Sequence, residues 1–223
     1  MTSARSAGTA ALVVAVVAVF GLVGWALVRD TPESEAPPEP ARIAVLGDSV
    51  SAGLDNTVVW PSLLASATGA SVTNFSIPAV GYLASAGVVG TLAAQVDRAV
   101  AAKPDHVVIF AGLYDVGQPL DLLRQAAMDL YGTVARQLPT AGILVLGPVW
   151  YAVPAPDVVL DVDRTLAEAA AAMHVRYVSL VGETWLSGTD LMRTEDSQPT
   201  DAGQRVLAAE LVGLLTANGV GLE

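Results

Sequence analysis

The sequence predicts an α/β fold: a three-layer, doubly wound, flavodoxin-like sheet of about five parallel strands, preceded by one transmembrane helix. Three observations carry this expectation. From Arg42 onward, apolar runs of strand length alternate with longer segments of helical period. Those runs are continuously apolar, as strands covered on both faces must be. Near the N-terminus, one uncharged stretch approaches the length needed to cross a bilayer.

Residues 1–29 comprise a short tail and that stretch. Thr9 to Val28 contains no charge, and Ala10 to Val28 is 19 residues of Ala, Val, Leu, Phe, Gly and Trp, close to the roughly 20 of a helical span. A cleavable signal peptide is the competing reading, since Gly24 and Ala26 place small residues around Trp25; against it, the run exceeds the usual apolar core of about 7 to 15 residues. Arg5 precedes the span, and Asp30, Glu33, Glu35 and Glu39 dominate the segment after it. The positive-inside bias therefore expects a single-pass plasma-membrane protein whose C-terminal part is extracytoplasmic. Residues 30–41 (DTPESEAPPEPA) are too rich in Pro and Glu for helix or sheet and read as an extended linker. The remaining chain, 42–223, suits one domain.

Within that domain, strands are expected at Arg42 to Leu46, Ser71 to Phe75, His106 to Ala111, Ile143 to Leu146 and Val175 to Leu180. Helices are expected between and after them, at Val58 to Thr68, Gly90 to Ala102, Leu120 to Leu138, Val158 to Met173 and Asp201 to Ala217. In doubly wound sheets ligands sit beyond the carboxyl ends of the strands, so informative residues should lie just after each strand.

Composition removes several classes of function. The chain has 22 acidic and 11 basic residues, a net charge of -11, which argues against nucleic acid, whose binders cluster Lys and Arg. The absence of Cys excludes disulfides, thiolate metal sites and a Cys nucleophile. His106 and His174 are the only histidines, so a multi-histidine metal site is excluded, and no cofactor is expected. Nucleotide binding is disfavoured because Gly47 to Gly53 (GDSVSAG) lacks the Gly-x-Gly-x-x-Gly spacing.

Four post-strand blocks carry chemistry. Gly47-Asp48-Ser49-Val50-Ser51-Ala52-Gly53 forms a sharp strand-to-helix passage with a projecting Ser. Asn74-Phe75-Ser76-Ile77-Pro78-Ala79-Val80-Gly81 comes after the second strand, and Gly112-Leu113-Tyr114-Asp115 after the third. Glu195-Asp196-Ser197-Gln198-Pro199-Thr200-Asp201-Ala202-Gly203 precedes the last helix. In order, these resemble the sequence blocks of the SGNH/GDSL hydrolases. The resemblance implies Ser49 as nucleophile, and an oxyanion hole built from Ser49, Gly81 and the residue at Tyr114. It places Gln198 where the family has its general-base His, and Glu195 where it has the orienting Asp.

The departures decide the expected activity. A serine hydroxyl needs a neighbour with a pKa near ambient pH to take its proton, and a carboxamide cannot do so. Gln198 can still donate to Glu195 and accept from Ser49, preserving a hydrogen-bonded array without acid–base function. Tyr114 replaces the Asn whose amide completes the oxyanion hole, a donor worth roughly 3 kcal/mol of transition-state stabilisation. The longer Tyr should overshoot the Asn position and fill acyl-binding volume. His106 and His174 fall at the starts of strands, at the far edge from the site. Glu195 or Asp196 remain as carboxylate bases toward Ser49, provided that burial raises their pKa.

Tyr82, Tyr114, Trp150, Tyr151 and Trp185 fall on or near strand-end loops, where they either stack on sugar rings or pack those loops. Pro148 to Pro156 either shapes a cleft or stiffens its loop. Asp157, Asp161 and Arg164 read as a solvated helix face, and Asp115, Asp121 and Asp129 as surface or capping acids. Two functional readings result. One is an envelope binding module with weak or no ester hydrolysis, holding a glycan or acyl ligand. The other is an esterase, deacetylase or acyl transferase on envelope glycans or lipids, using Ser49 with a carboxylate base.

Overall fold

The computed structural model describes residues 39–87 and 90–222. The apolar stretch from Ala10 to Val28 and most of the acidic linker lie outside the described residues. Among the described residues, no helix is long and apolar enough to cross a membrane.

Strands β1 (Arg42–Gly47), β2 (Ser71–Asn74), β3 (His106–Phe110), β4 (Gly142–Leu146) and β5 (Arg176–Val178) form one sheet in the order β2-β1-β3-β4-β5. Every neighbouring pair is parallel, with Ile43 set against Val72 on one side and His106 on the other, and Val108 against Leu144. β5 is shorter than expected. Its partner β4 ends at Leu146, Gly147 donates its N–H to the Val178 carbonyl, and Pro148 has no N–H with which to continue the ladder.

The helices are α1 (Ser49–Ala52), α2 (Trp60–Thr68), α3 (Leu92–Val100), α4 (Leu120–Gln137), α5 (Asp157–Ala172) and α6 (Asp201–Ala217). α2 starts at Trp60 and not at Val58, because Pro61 sits in its first turn, where its fixed φ and missing N–H are tolerated. α3 starts after Thr91, whose hydroxyl accepts the Ala94 N–H at 3.0 Å. α1, one turn long, was not expected.

Strand alternation divides the core in two. Ala44, Leu46, Val107, Ile109 and Val145 point to one face and pack with α3, α4 and α5. Ile43, Val45, Val108, Phe110, Leu144 and Leu146 point to the other and pack with Trp60 and Leu64 of α2 and with Leu207, Leu211 and Leu215 of α6. Trp60 is fully buried and tilted against Phe110, with ring centroids 6.1 Å apart. Truncating such an aromatic typically costs about 3–5 kcal/mol, so the α2–α6 layer is integral to the fold. The chain leaves β1 for β2 and returns across β1 to β3. This reversal opens a crevice beyond the carboxyl ends of β1 and β3.

Candidate functional site

β1 ends at Gly47, and a Cβ there would lie 2.5 Å from the Phe110 carbonyl oxygen, so only glycine lets β1 and β3 approach this closely. The buried Gln95 carboxamide clasps the same residue: Gly47 N–H donates to Oε1 at 2.8 Å and Nε2 donates to the Gly47 carbonyl at 2.9 Å. Asp48 caps α1, its Oδ1 accepting the Val50 N–H at 2.9 Å. Gln204 donates to the Val50 carbonyl at 2.9 Å and accepts the Trp60 N–H at 2.8 Å, while Asn74 donates to the Ser51 carbonyl at 2.7 Å. The turn carrying Ser49 is thereby tied to α2, α3, α6 and the end of β2. Asp48 is 2 % exposed, and burial pushes its carboxyl up to about 7 despite the Val50 N–H.

Ser49 is 1 % exposed. Its Oγ accepts the Ala79 N–H at 2.9 Å and lies 2.7 Å from the Tyr114 hydroxyl. The expected donor Gly81 is not aimed there, since its N–H donates to the Ala84 carbonyl at 2.9 Å. The backbone N–H that reaches Ser49 Oγ is that of Ala79 instead, held at φ 58°. That conformation favours glycine, and an alanine gives no sequence signal of it. Gly81 serves a different purpose: a Cβ there would lie 2.7 Å from Asp115 Cγ.

Asp115 is a fully buried carboxylate, not a surface acid. It accepts N–H groups from Tyr82 at 2.8 Å, Leu83 at 2.9 Å and Ala84 at 3.3 Å. Burial raises its pKa, and the bonds from Leu83, Tyr82 and Ala84 pull it back. Asp115 thus holds the loop after β2 against the short 3₁₀ turn Leu113–Asp115, which positions Tyr114 over Ser49. The Tyr114 hydroxyl reaches the nucleophile position itself, at Ser49 Oγ.

Before α6 the chain folds back on itself, Arg193 N–H donating to the Gln198 carbonyl at 2.8 Å and Met192 bridging to Pro199. Gln198 is 6 % exposed, and its Oε1 has no hydrogen-bond partner among the described residues. The expected Ser49–Gln198–Glu195 array does not form: among the described residues no side-chain bond joins Gln198 to Ser49 or Glu195. Glu195 is exposed and accepts from the Thr194 hydroxyl at 3.2 Å. Asp196 takes the place near Gln198, accepting its backbone N–H at 3.1 Å and pairing with Arg193 at 2.7 Å. That pairing holds the Asp196 carboxyl below its usual range, the opposite of what a base requires. His106 starts β3 and its Nε2 accepts the Gly221 N–H at 3.3 Å, at the edge away from Ser49.

A cavity of about 290 Å³ opens beside Tyr114, walled by Val50, Leu113, Val149, Trp150, Met192 and Gln198. Tyr151 also lines it and stacks on Trp150, centroids 4.9 Å apart. Of the five aromatics expected around one mouth, Tyr114, Trp150 and Tyr151 are there. Tyr82 packs edge-on against Tyr131, their hydroxyls 2.9 Å apart, and Trp185 packs against the α2–α6 core. Ser49 does not line the cavity; Tyr114 separates the two. Gln95 and Gln204, which clasp the turn, have no sequence signal: a Gln within an apolar helix pattern carries no sign of the backbone it will hold.

The family model of GDSL-like lipases and acylhydrolases matches residues 45–206. A GDSL lipase of Mycobacterium tuberculosis is 26% identical over 127 residues, covering 54% of this chain and 55% of the relative. The chain thus spans about half the length of that curated relative. Among solved structures, a lipase/acylhydrolase from Enterococcus faecalis superposes with TM-score 0.60 at 17% identity, over 80% of this chain and 96% of the other. The psychrotrophic esterase EstA from a Pseudoalteromonas species does so with TM-score 0.62 at 18% identity, over 79% and 97%. Their likeness is one of fold. With the family match extending over most of the chain and the Ser-bearing turn in its expected place, this protein belongs to the GDSL-like lipase/acylhydrolase family.

Proposed function

We propose that this protein is a membrane-anchored, extracytoplasmic binding module of the cell envelope that keeps the family's cleft with weak or no ester hydrolysis. The observation that carries this reading is the state of Ser49: 1 % exposed, with Oγ held by the Tyr114 hydroxyl and the Ala79 N–H and, among the described residues, no basic side chain bonded to it. Without a positioned base, a factor of about a hundred to ten thousand in rate is lost. Tyr114 also occupies the approach to the hydroxyl, which adds a steric barrier. The anchor and the outward placement rest on the uncharged stretch Thr9 to Val28 and the acidic residues after it. The aromatic wall of Trp150 and Tyr151 suits a glycan ring or an acyl chain.

The test is hydrolysis of short aryl esters by the full chain in lipid nanodiscs, beside Ser49→Ala. Equal background rates support the binding reading, and a rate that vanishes only in Ser49→Ala overturns it. Protease added outside intact expressing cells should remove the C-terminal domain; full protection would refute the outward placement. A slow esterase is the second reading, favoured by the intact turn and by the Ala79 N–H already within 2.9 Å of Ser49 Oγ. Its expected carboxylate base has no support in the geometry of Glu195 or Asp196.

A further inference from the structure

We propose that the ligand site extends past Tyr151 into a second cavity, and that its occupant is an uncharged amphiphile: an apolar aryl or alkyl group seated beside Tyr114, joined to a hydroxyl-rich head the size of one sugar ring. This deepens the binding reading and rests on it.

Two cavities of opposite character adjoin here. The one beside Tyr114, of about 290 Å³, is walled mainly by Val50, Leu113, Val116, Val149 and Trp150. The other, of about 340 Å³, carries four hydroxyl side chains, those of Ser187, Thr189, Thr194 and Ser197. Tyr151, Met192 and Ser197 line both. Tyr151 is 38 % exposed and Ser197 is exposed as well, so the divide between the cavities is a ridge at the surface and not a wall through the core. A molecule lying across that ridge reaches both cavities without displacing a buried group.

The first cavity takes the apolar part. Its aliphatic walls offer dispersion contacts, and Trp150 stacks on Tyr151 with 28° between the ring planes, a flat aromatic surface that continues onto the ridge. The second cavity sets the head. Thr189 and Ser197 hydroxyls make no hydrogen bond among the described residues. The Ser187 and Thr194 hydroxyls donate to the Thr184 carbonyl at 2.8 Å and to the Glu195 carboxylate at 3.2 Å, which leaves both oxygens able to accept. A lining that both donates and accepts matches a polyol, whose hydroxyls do the same. Charge on the head would find no partner. The two linings together hold one acid and one base, Asp196 and Arg193, and these neutralise each other: Arg193 Nε and Nη2 donate to the two Asp196 carboxylate oxygens at 3.0 and 2.7 Å, and Nη1 donates to the Leu54 carbonyl. A head of either sign is thus desolvated with nothing to pair it.

The test uses the full chain in lipid nanodiscs, with empty nanodiscs as blank, titrated calorimetrically with 2-naphthyl β-glucoside, 2-methoxynaphthalene, methyl β-glucoside and 2-naphthyl phosphate. Joining the two parts makes the second contact intramolecular. Wild type should therefore bind the naphthyl glucoside at least tenfold more tightly than 2-methoxynaphthalene, the gain of about one net hydrogen bond, with methyl glucoside and the phosphate weaker than either. Thr189→Trp, at an exposed position, fills the second cavity; it should bring the naphthyl glucoside down to the affinity of 2-methoxynaphthalene and leave the latter unchanged. Absence of binding, equal affinity for the glucoside and the ether in wild type, a gain that survives in Thr189→Trp, or a phosphate bound as tightly as the glucoside would overturn the proposal. Should Thr189→Trp fail to fold, the wild-type comparison alone still decides. Hydrolysis of 2-naphthyl acetate is measured separately: turnover lost in Ser49→Ala overturns the binding reading, whereas no turnover with no glucoside gain overturns only the ligand assignment.

Discussion

Asp48 places an ionisable group where ionisation opposes folding, and the consequence can be measured. Its carboxyl is 2 % exposed and rises from 3.8 to about 7, first through burial and further through the charge of Asp115. In the unfolded chain the same group titrates near 3.8. Its contribution to stability is therefore fully present below that value and is lost as pH climbs through about 7, where the folded protein must accept a buried charge. The loss amounts to up to about 4 kcal/mol, at roughly 1.36 kcal/mol for each unit between the two values. Asp48→Asn retains an acceptor for the Val50 N–H and mimics the protonated acid. Near pH 4 the two proteins should unfold at similar temperatures. By pH 8 the Asn variant should unfold several degrees higher, since about 1 kcal/mol moves a domain of this size by about 2–4 °C. Thermal unfolding followed by circular dichroism from pH 4 to 8.5 reads the gap between the curves. Parallel curves, or a gap that narrows as pH rises, would refute the argument. Asp115 titrates in both proteins, so the difference contains only its coupling to the Asp48 charge.

Three further outcomes are expected. Tyr114→Asn combined with Gln198→His should restore more aryl-ester hydrolysis than Gln198→His alone, by a factor of about a hundred; full recovery in the single variant would show that Tyr114 is no obstacle. Gly81→Ala forces a methyl to 2.7 Å from Asp115 Cγ, breaking the carboxylate's contact with the Tyr82–Ala84 loop, and should lower stability by about 3 kcal/mol in urea titration. Gln95→Leu leaves the Gly47 N–H unpaired in the core while its carbonyl keeps the Ile77 N–H at 3.2 Å, at about 1–3 kcal/mol by the same measurement.

Fold legibility came directly from hydrophobic pattern. β1, β3 and β4 are continuous apolar runs because both their faces are covered, and such runs stand out against amphipathic helices. The four chemistry-bearing blocks were legible because the switch point of a doubly wound sheet gathers post-strand turns in one crevice. Contacts between those blocks were not. The family resemblance implies that Gly81 faces Ser49, but the glycine there makes room for Asp115 and the strained position is Ala79. Nothing in a one-dimensional pattern separates these two uses of a small residue. Glu195 does not act as an orienting acid: Arg193 pairs with Asp196 and not with Glu195, and both acids stay exposed.

The Ser49 turn is held by bonds that do not depend on what stands over its hydroxyl. The groups that shape the Ser49 turn are Gln95, Gln204, Asn74 and the Asp48 cap, and all of them bond to backbone. Each satisfies a buried N–H or carbonyl whose exposure to an apolar core would cost about 1–3 kcal/mol. These bonds are needed for the sheet and helices to close, whatever happens at Ser49 Oγ. By contrast, Gln198 makes no side-chain bond through its oxygen and Tyr114 bonds only the hydroxyl it covers. Replacement at those two positions leaves the backbone ties intact. The turn is thus retained by folding energetics, independently of the residues that stand over Ser49 Oγ.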